Sequence, residues 1–215
     1  MLLRLLPALL LCSVACATVR SPAPAACDGN SCQVLQALPS YEPKELKLEG
    51  PISTLESLDF IVELAKAVED KEAAIHVTID SPGGSVNTMF GIIDLMREGQ
   101  ANGMKVRCTV RGMAASAAFI ILEAGCQDRA MTRGSQLMVH EPATSAQGKE
   151  GDFRRIADDL ADTNRRVATL IAHRLLNLDG TRMTADQYEA WIKDRNRWVD
   201  WAEALQRGAV DRVVY

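Results

Sequence analysis

Residues 74–86 read AIHVTIDSPGGSV. An apolar, β-branched run from Ala74 to Ile79 stops at a Pro-Gly-Gly turn, and a helical pattern then occupies Asn87 to Met96. Such a stretch is a buried strand that feeds a helix through a tight turn. Paired glycines let the backbone take φ > 0 and bring N–H groups close to a ligand. Alone, the stretch fits any strand-to-helix turn.

The same alternation recurs on both sides. Upstream, Leu46 to Leu48 is a short strand, and Thr54 to Val68 is helical, with Leu58, Ile61, Val62 and Leu64 apolar. Downstream come a strand at Lys105 to Val110 and an apolar helix at Ala117 to Glu123, stopped by Gly125. Strands follow at Arg129 to Thr132 and Gln136 to His140. Asp152 to Leu176 is a long amphipathic helix with Phe153, Ile156, Leu160, Val167, Leu170 and Ile171 on one face. A short helix at Ala202 to Gln206 and a strand at Val210 to Val214 end the chain. Alternating strands and helices predict a layered α/β domain.

Composition agrees. With 215 residues, 47% of them apolar, the chain can bury one substantial core. Its 28 acidic against 24 basic residues exclude the basic excess of a nucleic-acid binder. The scattered histidines form no close His/Cys pair with zinc spacing, so no metal site is expected.

Residues 1–17, MLLRLLPALLLCSVACA, read as a secretory leader: Arg4, an apolar run, then small residues. Two endings compete. Ala15-Cys16-Ala17 fits signal cleavage and a soluble product. Ser13-Val14-Ala15-Cys16 resembles a bacterial lipobox, with Cys16 lipidated, and a lipid anchor would then be the only membrane attachment. Either ending places the protein outside the cytoplasm, in a bacterial periplasm or cell envelope. Residues 18–43, rich in Ala, Pro and Ser, read as a tether, and 44–215 as the folded α/β domain. Beyond the leader, Cys27, Cys32, Cys108 and Cys126 remain. Pairing Cys27 with Cys32 and Cys108 with Cys126 is favoured in an oxidising compartment. Free buried thiols at Cys108 and Cys126 stay open as the alternative.

Two further segments carry chemistry, each following a strand. Arg111-Gly-Met-Ala-Ala-Ser116-Ala117-Ala118 surrounds one serine with small residues at the start of an apolar helix. Helix-start N–H groups and the positive dipole end stand where an oxyanion would form. This is the logic of a nucleophile elbow, and the bland alternative is a helix N-cap serine. Gln136-Leu-Met-Val-His140-Glu-Pro142 delivers a histidine at a strand end, placed to act as a general base. His76, in a buried strand, and His173, on the long helix, have no partner motif. The pairs Asp158-Asp159 and Arg165-Arg166 read as a solvated helix face. Trp191, Trp198 and Trp201 read as core or interface packing.

In this order, the segments resemble the Clp protease proteolytic subunit and its crotonase-like relatives. The resemblance runs from about Leu46 to Val214. It is carried by SPGG at 81–84, GMAASAA at 112–118, MVHEP at 138–142 and the closing pattern Arg195-Asn196-Arg197-Trp198 … Glu203-Ala204-Leu205 … Gly208-Ala209-Val210-Asp211. It implies a crotonase-like α/β fold of repeated ββα layers with a protruding handle, formed by the long helix. It also implies a serine peptidase with Ser116 as nucleophile, His140 as base, and the N–H groups of Gly84 and Ala117 as oxyanion hole. The family's third residue is an aspartate; Asn196 stands there, with Asp194 as an alternative. An asparagine can orient an imidazole but brings no carboxylate charge.

The resemblance implies no cofactor, a peptide or unfolded-protein substrate, and a ring-like homo-oligomer. Export argues against an unfoldase ATPase partner, because ATP is not normally available there, and this chain carries no Walker motif. His140 must be neutral to accept a proton, so activity should fall in acid. The leading alternative is a weak or inactive oligomeric scaffold of the envelope, favoured by Asn196. An acyl-CoA enzyme of the crotonase type would need coenzyme A. A signal-peptide peptidase A enzyme would need a lysine in the Ser116 or His140 motif.

Overall fold

The computed structural model describes residues 27–28, 31–32, 42–145 and 147–215. The expected leader with Cys16, and the rest of the expected tether, lie outside the described residues. Within the tether, β1 (Cys27–Asp28) pairs antiparallel with β2 (Ser31–Cys32), with Cys27 opposite Cys32 in backbone register. A sulfur–sulfur bond between them lies outside what is described.

The larger unit runs from Tyr41 to Tyr215. Its first strands, β3 (Lys44–Glu49), β4 (Ala74–Ser81) and β5 (Lys105–Ala115), pair in parallel. Next come β6 (Asp128–Thr132) and β9 (Arg212–Val214), also parallel, giving the order β3-β4-β5-β6-β9. Helices α1 (Leu58–Glu69), α2 (Val86–Ala101) and α3 (Ala117–Gly125) are the crossovers between these strands. On α1, Phe60, Leu64, Ala67 and Val68 are buried, a spacing that keeps one face on the sheet. Nearly all of α3 is buried, so its sequence is apolar all round. Each fully buried Phe or Ile there contributes about 1.5–3 kcal/mol.

Strand β5 does more than its sequence suggests. Residues 107–110 pair with β6; then the strand kinks, and Met113 to Ala115 pair with β7 (Gln136–Val139). The kink lies at Gly112, at φ 108, where a Cβ would collide with the Asp80 carboxylate. That carboxylate accepts the Met113 N–H at 3.0 Å. Ser135 Oγ accepts the Gly112 N–H at 3.1 Å and donates to the Val110 carbonyl at 2.9 Å. The strand therefore extends past Val110 to the residue before Ser116. Strand β7 then pairs antiparallel with β8 (Arg197–Val199).

Helix α4 (Glu150–Ile171) is the expected handle, begun two residues earlier and ended by a 3₁₀ turn, Ala172–Arg174. Only Val167, Ala168 and Ile171 on it are buried, so its first four turns stand away from the core. Helix α5 (Ala185–Ile192) had no counterpart in the sequence reading, and α6 (Trp201–Gln206) did.

Candidate active site

Ser116 occupies the junction of β5 and α3 at φ 53, ψ −120. A non-glycine residue pays about 1–3 kcal/mol for such a conformation. It is the N-cap of α3, yet its side chain caps nothing. Its Oγ instead lies 2.8 Å from Nε2 of His140. The backbone brings them together: Ala115 is in register with Met138, and the Ser116 N–H donates to the Met138 carbonyl at 2.8 Å. Two residues on, just past the end of β7, stands His140.

The Pro-Gly-Gly turn packs against this elbow. A Cβ on Gly83 would lie 2.7 Å from Ser116 Cβ and 2.8 Å from the Ala117 nitrogen, so only glycine permits the approach. Ser81, fully buried, braces the turn by donating to the Gly50 carbonyl at 2.6 Å and accepting the Gly83 N–H at 3.1 Å. Ile52 flanks it through its N–H to the Gly83 carbonyl (2.8 Å) and its carbonyl to the Ser85 N–H (2.7 Å). Among the described residues neither the Gly84 nor the Ala117 N–H has an acceptor, Ala117 being the first residue of its helix. Gly84, Ser116, Ala117 and His140 line one narrow cavity of about 30 Å³, walled by Val86, Met89, Ile120, Pro142 and Val167. A wider groove of about 440 Å³ shares Gly84, Val86 and Pro142 with it and runs along Ile156, Asp159 and Leu160 of α4.

An alcohol bonded to an imidazole beside two idle N–H groups is the apparatus of acyl transfer. Comparison with known proteins gives the same direction: residues 33–215 match the Clp protease family. The chain belongs to that family. It is 34% identical over 152 residues to the ATP-dependent Clp protease proteolytic subunit 2 of Rhodococcus jostii, covering 70% of this chain and 73% of the relative. It is 31% identical over 149 residues to proteolytic subunit 1 of Prochlorococcus marinus, covering 68% and 70%. A proteolytic subunit from Bacteroides thetaiotaomicron is 33% identical over 141 residues, covering 65% and 60%. The α/β architecture is that of a Clp protease, and the relatives support a peptidase of the serine type.

The third member of the expected Clp protease triad is not joined. Among the described residues no side chain hydrogen-bonds Nδ1 of His140. The β7–β8 ladder ends at the pair Val139–Arg197, and one more step of that register would bring Asn196 level with His140. Yet the Asn196 side chain is exposed and makes no hydrogen bond there. Asp194, at φ 56, is also exposed; its N–H donates to Glu141 Oε2 at 2.8 Å, and its carboxylate is unengaged. Of the expected triad, this structure joins Ser116 and His140 by a hydrogen bond, and neither Asn196 nor Asp194 makes one to the imidazole. A neutral carboxamide in solvent gains too little from the imidazole to be held on it, whereas a carboxylate would be drawn by charge.

Other expectations meet their surroundings here. Cys108 and Cys126 are joined by a disulfide, their Cα atoms 5.8 Å apart, which removes the free-thiol alternative from this structure. His76, which has no partner motif in the sequence, has partners in the fold: Nδ1 lies 2.9 Å from a Glu45 carboxylate oxygen and Nε2 2.8 Å from Thr109 Oγ1. That array has an acid–imidazole–alcohol order but lies across the β3–β4–β5 ladder, whose N–H groups are committed to the sheet, so it offers no oxyanion donors. Trp191 and Trp201 pack against the core, whereas Trp198 is exposed.

Near the C-terminal end of α3, Glu123 is fully buried against Arg129, which also binds Asp211 at 2.8 Å. Burial pushes the Glu123 carboxyl up to about 7, against the pull of Arg129 and Arg174. The sequence reading missed this cluster; a lone Glu in the apolar run FIILEAG was its signal. Among the described residues no group of three or more His, Cys, Asp and Glu side chains could hold a metal ion, and no helix is long and apolar enough to cross a membrane.

Proposed function

We propose that the chain hydrolyses peptide bonds by acyl transfer at Ser116. Nε2 of His140 takes the hydroxyl proton as Oγ attacks the scissile carbonyl. The N–H groups of Gly84 and Ala117 bind the oxyanion. The imidazolium then returns its proton to the leaving amine, and water, activated by the same imidazole, releases the acid. The 2.8 Å contact between Ser116 Oγ and His140 Nε2 at a strained, uncapped elbow carries this reading.

The cavity beside Ser116 is small and apolar, so a small apolar residue on the acyl side fits best, with the flanking peptide lying in the groove along α4. The leader-like sequence supports an extracytoplasmic site of action, freely soluble or anchored through a lipid on Cys16. Substrates there would be peptides or already unfolded proteins, with no ATPase partner. The apolar residues on the projecting part of α4 support assembly with further copies into a ring.

A fluorophosphonate probe tests the site. Labelling of the wild type that disappears in Ser116→Ala is expected; equal labelling of both removes Ser116 from the mechanism. The unengaged Asn196 favours a second reading, a weak or inactive scaffold. Under that reading neither protein labels, although both assemble.

A further inference from the structure

The Cys108–Cys126 disulfide spans a sequence separation of 18 residues, and Ser116 lies between the two ends. Cys108 is on β5, the strand that enters the elbow, and Cys126 directly follows α3, the helix that leaves it. Both are buried, at 0% and 1% exposure. Strand, elbow, helix and disulfide therefore form one covalent ring, with the strained serine at its apex.

A strained residue keeps its conformation only where its surroundings over-determine it. At the apex, the Ser116 N–H is tied to the Met138 carbonyl. At the far end of α3 the remaining ties are non-covalent: Gln100 Nε2 donates to the Gly125 carbonyl, the Gln127 N–H donates to the Val106 carbonyl of β5 at 2.9 Å, and Glu123 pairs with Arg129. Arg97 donates to the Ala124 carbonyl at 3.3 Å, and Arg174 to the Cys126 carbonyl at 2.8 Å. The disulfide is the covalent link that fixes the C-terminal end of α3 to β5. A helix free to slide toward its C-terminus would relax φ at Ser116 and carry both its Oγ and the Ala117 N–H away from the cavity they share. Displacements of that kind weigh on the chemical step far more than on binding.

We propose that the Cys108–Cys126 disulfide is a positioning element of the active site, holding the nucleophile elbow in its strained form, so that the reduced chain turns over slowly. The proposal rests on the reading of Ser116 as the nucleophile. Oxidation joins the two thiols with loss of two protons and two electrons; a small-molecule disulfide takes these up and leaves as two thiols. An oxidising compartment favours the bridge and a glutathione-buffered one removes it. A peptidase made this way stays slow until it has left the compartment of its synthesis.

The test uses the full chain in three forms: oxidised wild type, phosphine-reduced wild type, and Cys108→Ala/Cys126→Ala. Turnover of a fluorogenic peptide with alanine on the acyl side is measured together with the fluorophosphonate labelling rate at saturating probe. Far-UV circular dichroism follows the fold. Reduction and the double substitution should each lower kcat and saturated labelling tenfold or more, with KM within about threefold. Glutathione disulfide should restore the reduced wild type, and the double variant should ignore both reagents, which excludes the other cysteines. A folded double variant with kcat within twofold of the oxidised wild type overturns the proposal. So does a loss expressed in KM, or one that only tracks unfolding. If the variant does not fold, the reduced wild type decides; if both unfold, the bridge is a folding requirement and the proposal fails. Ser116-dependent labelling that ignores redox state sinks this proposal alone, whereas labelling that is absent or independent of Ser116 sinks the reading beneath it.

Discussion

Ser116 forgoes the cap that a serine at a helix start ordinarily makes and spends its hydroxyl on His140 instead. The nucleophile, the imidazole and the glycine turn are legible in sequence because each follows a strand and sits beside small residues. The fate of Asn196 is not, because register brings a backbone level with His140 without dictating where an exposed side chain rests. A carboxylate at that position would stabilise the imidazolium, so Asn196→Asp is expected to raise kcat tenfold or more at neutral pH, with little change in KM. Steady-state kinetics on the two proteins would check this. An unchanged kcat would mean that residue 196 cannot reach the imidazole during turnover.

Helix α3 carries the nucleophile at one end and a buried ion pair near the other. Glu123 has its pKa raised in the fold, so the folded state holds its proton more tightly than the unfolded chain does. Its favourable contribution is complete below the ordinary glutamate range, and is lost as pH rises through about 7. The thermal unfolding midpoint should therefore fall between pH 5 and pH 8, and Glu123→Gln should flatten that slope. Calorimetry across this range tests it; an equal slope in both proteins would assign the titration elsewhere. Elements with strong periodicity, such as α1 and α4, are readable in the chain. Two others escape for different reasons. The whole of β8 is three residues, too short for any alternation, and exists because β7 offers it an edge. For α5 a signal was there: Thr184 and Gln187 form a capping box, each side chain bonded to the other's backbone N–H.

At the scale of the molecule, helices α1, α2 and α3 follow the sheet's buried residues, while the alternate positions of β3 and β4, including Glu45, Lys47 and His76, remain at least partly exposed. Parallel sheets are ordinarily covered on both faces. Helix α4 is similarly incomplete, with Phe153 48% exposed and Ile156 and Leu160 only half-buried. Both features fit a subunit whose surfaces are finished by other copies. Phe153→Glu lies outside the core, so its effect on stability should stay within about 0.5 kcal/mol. It should nevertheless reduce the assembly to smaller species in sedimentation velocity. An unaltered sedimentation profile would remove this helix from the interface.

The amino-acid order by itself determined the alternation of strands and helices, the apolar faces, and the small-residue turns where chemistry could sit. These follow from side-chain periodicity and from local backbone sterics, which act over a few residues. Only the tertiary structure decided that β5 kinks at Gly112 to change partners, that Ser116 meets His140 while Asn196 does not, and that Cys108 closes on Cys126. Each of these depends on ladder register and packing between segments far apart in the chain, where no local preference reaches.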